Sequence, residues 1–282
     1  MQKVSAVLVC LNIENEIDRC LASVAWCDEI VVVDSFSSDS TLDKARRHTD
    51  IVHQHTYQGY SRQLELAVGY ATGDWIFVID GDEVCSRELA GQCAKLATAP
   101  PPGSGEPTSY EVSRNVWAYG KRIHHGGYCP EYVLRFFRRE RAVFAHREVH
   151  GAVGGDGPVG RLEGWLDHYT WTDIFRHMQR INTYTSLEVA NMRKEQPRAR
   201  AAGTWAIGAR ILFSPLGHFL RRFVRHQGWR DGFHGFALAW LDAVHTGLLY
   251  FKLWEYRMRE TVGDGHLPPV GHAEIEDARR RY

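Results

Sequence analysis

The stretch Trp75-Ile76-Phe77-Val78-Ile79, followed by Asp80-Gly81-Asp82-Glu83, decides the fold. The apolar run predicts a buried strand, and a cluster of carboxylates follows directly where that strand ends. Carboxylate oxygens at the rim of a sheet are good ligands for Mg²⁺ or Mn²⁺, and these ions bind diphosphates. Asp and Gly also favour solvated turns after strands. Taken alone, the cluster leaves a metal site and a plain turn as alternatives.

Strands and helices alternate through the first hundred residues. Strands are predicted at 4–11, 29–33, 51–55 and 75–79, and helices at 14–24, 40–47 and 61–71. Near-continuous apolar strands separated by helices are typical of an α/β fold, with a parallel sheet covered on both faces. Ligands of such sheets bind beyond the carboxyl ends of the strands. Asn12, Asp34 and Asp80 follow three of these ends, so we expect them to line one crevice.

The remainder of the chain changes character twice. Proline and glycine between 100 and 107 indicate a loop that closes the first region, residues 1–100. Residues 108–172 are rich in aromatics, glycine and histidine, and they read as an α+β continuation. From residue 173 the apolar residues recur at the spacing of one helix face. This spacing predicts a helical region over 173–260 and a tail over 261–282.

Charge and cysteine content exclude some classes of protein. Lysine and arginine number 34, as do aspartate and glutamate, so net charge identifies no partner and we predict no nucleic-acid binding. The six cysteines form no CxxC pair. The apolar run near the N-terminus is too short for a signal peptide. Reduced thiols and a cytoplasmic location are therefore expected.

The hydrophobic stretch 233–254 leaves two readings. It contains His234, Asp242, His245 and Lys252, which makes it a poor membrane-spanning helix. Arginines precede it, so the region 173–260 fits helices that lie peripherally on the anionic inner face of the cytoplasmic membrane. The alternative is an ordinary core helix packed on the catalytic region.

Three motifs in order give the chain a family resemblance. They lie at residues 4–12, at residues 30–41, and at residues 71–75 leading into Asp80-Gly81-Asp82-Glu83. Together they resemble the inverting family 2 glycosyltransferases with the GT-A fold. That fold is a mostly parallel sheet flanked by helices, here with a C-terminal helical extension. Residues 125–131, 134–139 and 157–162 resemble the subgroup that glucosylates the inner core of bacterial lipopolysaccharide.

The resemblance implies a binding role for each strand-end residue. Residues 1–100 would bind the nucleotide-sugar donor, a UDP-hexose, and residues 108–172 would form the acceptor side. Asp34 would accept from the uracil N–H, with Asn12 beside it. Asp39 would hold the ribose or its loop, although capping the helix after Ser40 is an equal alternative.

The same resemblance supplies the metal site. Asp80 and Asp82 would hold Mg²⁺ or Mn²⁺ against the diphosphate. His150 would be a third ligand, with a buried neutral histidine as the alternative.

The predicted general base and phosphate contacts lie further along the chain. An inverting displacement needs a carboxylate opposite the leaving group, and the resemblance favours Glu131. Arg135 is expected to bind phosphate, and Arg62 stands where the family carries a lysine. On an alternating strand Arg135 and Arg138 lie on opposite faces, so at least one of them is expected to be a solvated surface charge.

Three positions depart from the family pattern. Ile13 and Glu65 replace Glu and Asn, and Gly151 follows His150 where Glu is common.

The leading prediction is transfer of a hexose, glucose from UDP-glucose, to a lipid-linked saccharide such as the lipopolysaccharide inner core. The three departures motivate a second reading, a non-catalytic saccharide-binding or scaffold protein on the same fold. Transfer to another surface glycan is a further alternative. A nucleotidyltransferase ranks low, because no glycine-rich phosphate loop follows the first strand.

Overall fold

The structure is a computed structural model that describes residues 2–100, 103, 105–145, 152–195 and 204–262. Its strands are β1 Val4–Cys10, β2 Glu29–Asp34, β3 Val52–Gln54, β4 Trp75–Val78, β5 Glu83–Cys85, β6 Ser109–Ala118, β7 Lys121–Arg122, β8 Glu131–Arg138, β9 Ala142–Ala145, β10 Ala152–Gly155 and β11 Val159–Trp171. Its α-helices are α1 Ile17–Ser23, α2 Thr41–Ala45, α3 Tyr60–Tyr70, α4 Arg87–Thr98, α5 Ile174–Glu195, α6 Thr204–Leu220 and α7 Phe233–Val262.

One large sheet carries the candidate site. Its strand order is β3-β2-β1-β4-β8-β6-β11-β5, with β7 paired to the end of β6. The pairs β3–β2, β2–β1 and β1–β4 are parallel, as predicted from the alternation of strands and helices. Strand β8 adds to β4 in the antiparallel direction, as does β5 to β11. The sheet is therefore mixed, and its parallel part is confined to the first four strands.

Both faces of the parallel part are buried. Ala6 and Leu8 of β1 belong to one apolar cluster that includes residues of α1 and α4. Val7, between them, belongs to the opposite cluster, which includes residues of α3. Alternate side chains of a strand point to opposite faces, which explains why β1 is apolar at nearly every position. The predicted α/β class with flanking helices is confirmed, as is the presence of C-terminal helices.

Four of the six cysteines are buried in this interior, namely Cys10, Cys20, Cys85 and Cys93. All six are free thiols. Burial raises the pKa of Cys20 and Cys93 well above the ordinary value of a thiol. These two residues therefore behave as small hydrophobic side chains.

Contacts divide the chain into two compact units. The first comprises Met1–Val116 with Pro130–Thr170, and the second comprises Trp117–Cys129 with Trp171–Tyr282. In the second unit α5, α6 and α7 share a small apolar core around Val189, Ile207 and Leu253. The boundaries predicted near residues 100, 108, 173 and 261 remain a prediction.

Candidate active site

The carboxylate cluster forms a tight turn between β4 and β5. Glu83 begins β5 and is completely buried. Its amide donates to the Asp80 carbonyl at 2.9 Å, and its carboxylate accepts from the Asp80 amide at 3.0 Å. A methyl group at Gly81 would overlap the terminal methyl group of Ile13, so a larger residue there requires that side chain to shift. Glu83 therefore closes the turn, which leaves Asp80 and Asp82 at its rim.

A buried guanidinium compensates the charge of this turn. Arg135 of β8 is 6% exposed and donates to Asp80 and, at 2.8 Å, to Glu83. Burial alone lowers the pKa of Arg135, but Asp80 and Glu83 raise it well above its ordinary value. Tyr60 of α3 donates to the other Asp80 oxygen at 2.7 Å. The predicted phosphate ligand Arg135 thus has carboxylates of the protein itself as its partners.

Arg135 and Arg138 are both largely buried, although at least one of them was expected to be exposed to solvent. The Arg138 side chain is 11% exposed, donates to Gln2 and lies over the Trp75 ring. Neither arginine is a solvated surface charge, so that expectation was wrong. Arg138 is covered because the long methylene stem of an arginine can lie along an aromatic surface.

Replacing Arg135 by methionine should destabilise the protein by about 3 kcal/mol, because it leaves Asp80 and the buried Glu83 short of their countercharge. Arg138→Met is the matched control on the same strand. Its carboxylate partner Glu140 is 67% exposed, so we expect a cost below about 1 kcal/mol. Urea unfolding of the two variants and the parent protein measures the difference. Equal midpoints for the two variants would contradict this account of Arg135.

Asp82 has a different partner, which sequence reasoning did not find. The Asp82 carboxylate lies 3.3 Å from Nε2 of His168 on β11. The Asp82 carbonyl accepts from the Tyr169 amide at 2.9 Å, so β11 is held against the turn by its backbone as well. Burial lowers the pKa of His168, but Asp82 outweighs that effect and raises it above the ordinary value.

The side chains at the rim of the sheet include possible ligands for a divalent cation. Among the described residues no group of three or more His, Cys, Asp or Glu side chains is arranged to hold a metal ion. Asp82 and His168 nevertheless present one carboxylate and one imidazole side by side. Mg²⁺ in phosphate-binding enzymes keeps only one or two protein carboxylates and takes its other ligands from phosphate and water. The pair therefore fits a cation shared with a diphosphate. The predicted third ligand, His150, lies outside the described residues, as does Gly151.

The predicted uridine side forms a hydrogen-bonded loop at the end of β2. Asp34 is fully buried, and its carboxylate accepts from the Ser37 amide at 2.9 Å and from Gln54 at 3.0 Å. The Asn12 amide oxygen accepts from the Ser38 amide at 2.8 Å, which joins the ends of β1 and β2. Direct contact of Asp34 with a base stays a prediction. In the structure its hydrogen bonds fix the loop.

Asp39 lies at the start of α2. Its carboxylate accepts from the Thr41 amide at 3.0 Å and from the Glu14 amide at 3.2 Å. Burial raises the pKa of Asp39, but these hydrogen bonds bring it below the ordinary value. The contact with Thr41 is the one expected if Asp39 caps α2, and the contact with Glu14 is the one expected if Asp39 holds the surrounding loop.

Glu131 and Arg62 are the remaining predicted residues. Glu131 begins β8, is 46% exposed, and forms an ion pair with Arg114 at 2.7 Å. Arg114 also lies 3.3 Å from Glu83, so Glu131 is connected to the carboxylate turn through a chain of alternating charges. Arg62 pairs with Glu65 at 2.5 Å on the surface of α3, which gives the unusual Glu65 a countercharge. Arg62 is not linked to Asp80 by any contact in the described residues.

The sequence prediction missed four side chains of this site, namely Tyr60, Glu83, Arg114 and His168. Glu83 lies inside the quoted motif, but nothing in its neighbours indicates that it is buried. Arg114 and His168 lie about 30 and 85 residues beyond the turn. Their contacts with it depend on antiparallel pairings that a single sequence does not show.

Residues 5–158, more than half of the chain, match the model of glycosyl transferase family 2. The chain therefore belongs to this family, and the predicted membership is confirmed.

Individual relatives agree over most of the chain. It is 28% identical over 263 residues to the lipopolysaccharide core biosynthesis glycosyltransferase LpsC of Rhizobium meliloti, covering 89% of this chain and 92% of LpsC. It is 37% identical over 274 residues to a glycosyltransferase of Rickettsia bellii, covering 92% and 88% of the two chains.

Among solved structures, the mannosyltransferase PcManGT of Pyrobaculum calidifontis, in complex with GDP-Man and Mn²⁺, is 16% identical. The match covers 88% of this chain and 87% of that one, with a TM-score of 0.49. A similarity at that level does not transfer the ligands of PcManGT to this chain.

Proposed function

We propose that this family 2 enzyme is an inverting hexosyltransferase that uses a UDP-hexose, with glucose as the favoured sugar. The observation that carries the proposal is the pairing of Asp82 with His168 at the rim of the sheet, beside the ends of the parallel strands. A carboxylate and an imidazole placed there fit a cation that a diphosphate shares. The loops that Asn12, Asp34 and Asp39 hold together border the same edge of the sheet and are assigned to the nucleoside.

On the donor side, Asp82 and His168 would hold Mg²⁺ or Mn²⁺, which stabilises the charge of the departing nucleoside diphosphate when it is bound. His168 binds a cation only in its neutral form, so protons compete with the cation for this side chain. Asp80 is oriented by Tyr60 and Arg135, and its side chain is 26% exposed. Arg135 also keeps the turn from accumulating uncompensated negative charge.

On the acceptor side, Glu131 is the proposed general base. Its carboxylate is accessible. Arg114 holds the carboxylate in place by donating to it from two nitrogens, and a guanidinium does not take up a proton itself. A base so placed can take the proton from an acceptor hydroxyl as that oxygen attacks the anomeric carbon. The bond to the diphosphate then breaks on the opposite face, which gives a β-linked product from an α-linked donor.

The proposed acceptor is a lipid-linked saccharide of the lipopolysaccharide core type. Two lines support it, namely the resemblance of residues 125–131, 134–139 and 157–162 to inner-core transferases and the end-to-end match to LpsC. Mass spectrometry of the core saccharide from cells with and without the active protein distinguishes this acceptor from another surface glycan.

The donor proposal predicts that UDP and Mn²⁺ together raise the thermal midpoint of the protein by about 2–4 °C at saturation, because a ligand that binds only the folded state stabilises it. GDP with Mn²⁺ is the control for base selectivity, and UDP with a chelator is the control for the metal. No protection by UDP under any of these conditions would overturn the proposal.

A second candidate function has one observation in its favour. Both oxygens of Asp80 already have partners within the protein, Tyr60 and Arg135, as expected of a scaffold that has lost the reaction. A non-catalytic saccharide-binding protein would bind the saccharide acceptor yet show no release of UDP from UDP-hexose. Donor turnover in the presence of the acceptor separates the two.

A further inference from the structure

The longest helix of the second unit has an exposed aromatic face. Six large apolar side chains of α7 are more than a third exposed, and they recur at helical spacing in two segments of the helix, 233–240 and 251–258. They are Phe233, Phe236, Trp240, Phe251, Trp254 and Met258. At about 100° per residue they fall within a stripe roughly 60° wide. We call these residues the α7 stripe.

Helix α6 has a stripe of the same kind. Its exposed apolar residues are Trp205, Leu212, Phe213, Leu216 and Leu220. They lie within roughly 100° of one helix face. Trp205 is 94% exposed and Phe213 is 65% exposed, values that a side chain in a packed core does not have. We call these residues the α6 stripe.

The two stripes join into one surface. Phe219 of α6 lies between them, with its ring 5.8 Å from that of Phe236 and 6.0 Å from that of Trp240. Further along, a methyl group on Gly247 of α7 would meet the ring of Pro215 of α6 at 3.4 Å, so the helices are in close contact there too. The stripes are therefore neighbouring parts of a single apolar face.

The polar side of α7 already has partners within the second unit. Asp242 pairs with Arg222 at 2.9 Å, and His245 lies 3.2 Å from Glu188 of α5. Lys252 donates to the Asn182 side chain of α5 at 2.7 Å. Asp242, His245 and Lys252 thus have partners within the protein, whereas every residue of the α7 stripe is more than a third exposed.

Cations without carboxylate partners lie at the end of α6. Arg221 and Arg225 are exposed, and within the described residues neither pairs with a carboxylate. Over residues 204–262 the sequence has eight Arg or Lys against four Asp or Glu, an excess of four positive charges. An exposed apolar aromatic face, followed in sequence by arginines without carboxylate partners, is complementary to the headgroup region of an anionic lipid leaflet.

We propose that the face formed by the α6 and α7 stripes docks on the surface of an anionic lipid bilayer, with the aromatic side chains at headgroup level and Arg221 and Arg225 against lipid phosphates. No helix in the described part of the chain is long and apolar enough to cross a membrane. The proposed binding mode is insertion of side chains from the face that the two stripes form. This inference concerns the second unit and does not rest on the proposed donor or acceptor.

The test is flotation of the full chain with vesicles of phosphatidylcholine alone and of an equimolar mixture with phosphatidylglycerol. The variant Phe213→Ser/Phe233→Ser should lower the partition coefficient on the mixed vesicles about tenfold or more, since two exposed rings no longer insert. The matched control is Ile174→Ser/Phe175→Ser. These α5 side chains are 51% and 71% exposed but lie outside both stripes. Arg221→Gln/Arg225→Gln should lower binding about tenfold on mixed vesicles and have little effect on neutral ones.

Three outcomes would overturn the proposal. One is a parent chain that does not float with mixed vesicles, and another is equal losses in the stripe variant and in its α5 control. The third is a parent dimer in light scattering that the stripe variant converts to a monomer without any change in flotation, which would assign the face to a second copy. Protection by UDP, measured on the same variants, reports separately on the donor site and on folding.

Discussion

Asp82→Asn should lower the rate of sugar transfer about a thousandfold, equivalent to about 4 kcal/mol of transition-state stabilisation. Asparagine keeps the shape of the side chain but removes the charge that would hold a cation beside His168. The charge on the leaving diphosphate then lacks its main counterion. The release of UDP at saturating donor and acceptor, measured over a range of Mn²⁺ concentrations, gives this rate.

The control for Asp82 is Asp156→Asn, which changes an exposed carboxylate of the same unit. It should leave the rate unchanged. The Asp82 variant should also lose the Mn²⁺-dependent part of the protection by UDP against heat, while its unfolding without ligands stays close to that of the parent protein. An Asp82→Asn enzyme with unchanged metal dependence would exclude Asp82 as a metal ligand.

Glu131→Gln should lower kcat about a thousandfold and leave UDP binding intact, because general-base catalysis contributes on this order and Glu131 is not among the residues assigned to the donor. Glutamine still offers an oxygen to Arg114, so the arginine keeps a partner and the change is confined to proton transfer. The assay is UDP release with acceptor, read beside thermal protection by UDP and Mn²⁺.

Glu111→Gln is the matched control for Glu131. Glu111 also pairs with an arginine of the same unit, Arg161, at 3.0 Å on the surface, so its replacement tests the cost of losing such a pair alone. Unchanged kcat in Glu131→Gln would rule out Glu131 as the base. Joint loss of kcat and of UDP protection would instead indicate that the chain of charges from Glu131 through Arg114 to Glu83 supports the donor site.

Most of the parallel half of the sheet could be predicted from the sequence, because β1, β2 and β4 are short, largely apolar runs and a polar residue closely follows or ends each of them. Strand β4 and its carboxylates are the clearest case, and the structure places them next to β1. The antiparallel half could not be predicted in the same way. Strands β8 and β11 pair with partners far away in sequence, and their alternation of polar and apolar residues does not specify which neighbour they take.

The site was predictable to the extent that motifs follow strands. Asn12, Asp34, Asp39 and Asp80 do lie at strand ends or in the loops after them, as expected. Their hydrogen-bond partners were not predictable, because burial decides them. Arg135 is an example, because a guanidinium binds phosphate and carboxylate equally well. Its partners are carboxylates because the buried Glu83 lies beside it.

The position of Glu83 has a consequence for how the catalytic unit unfolds. Its carboxylate is held by the turn it closes, by Arg114 of β6 and by Arg135 of β8, so one buried charge connects three separate parts of the chain. If one of these parts opened alone, the Glu83 carboxylate would lose a partner while the other two still held it in the interior. The turn at residues 80–83 and strand β8 are therefore expected to open together, as one cooperative unit rather than as independent segments.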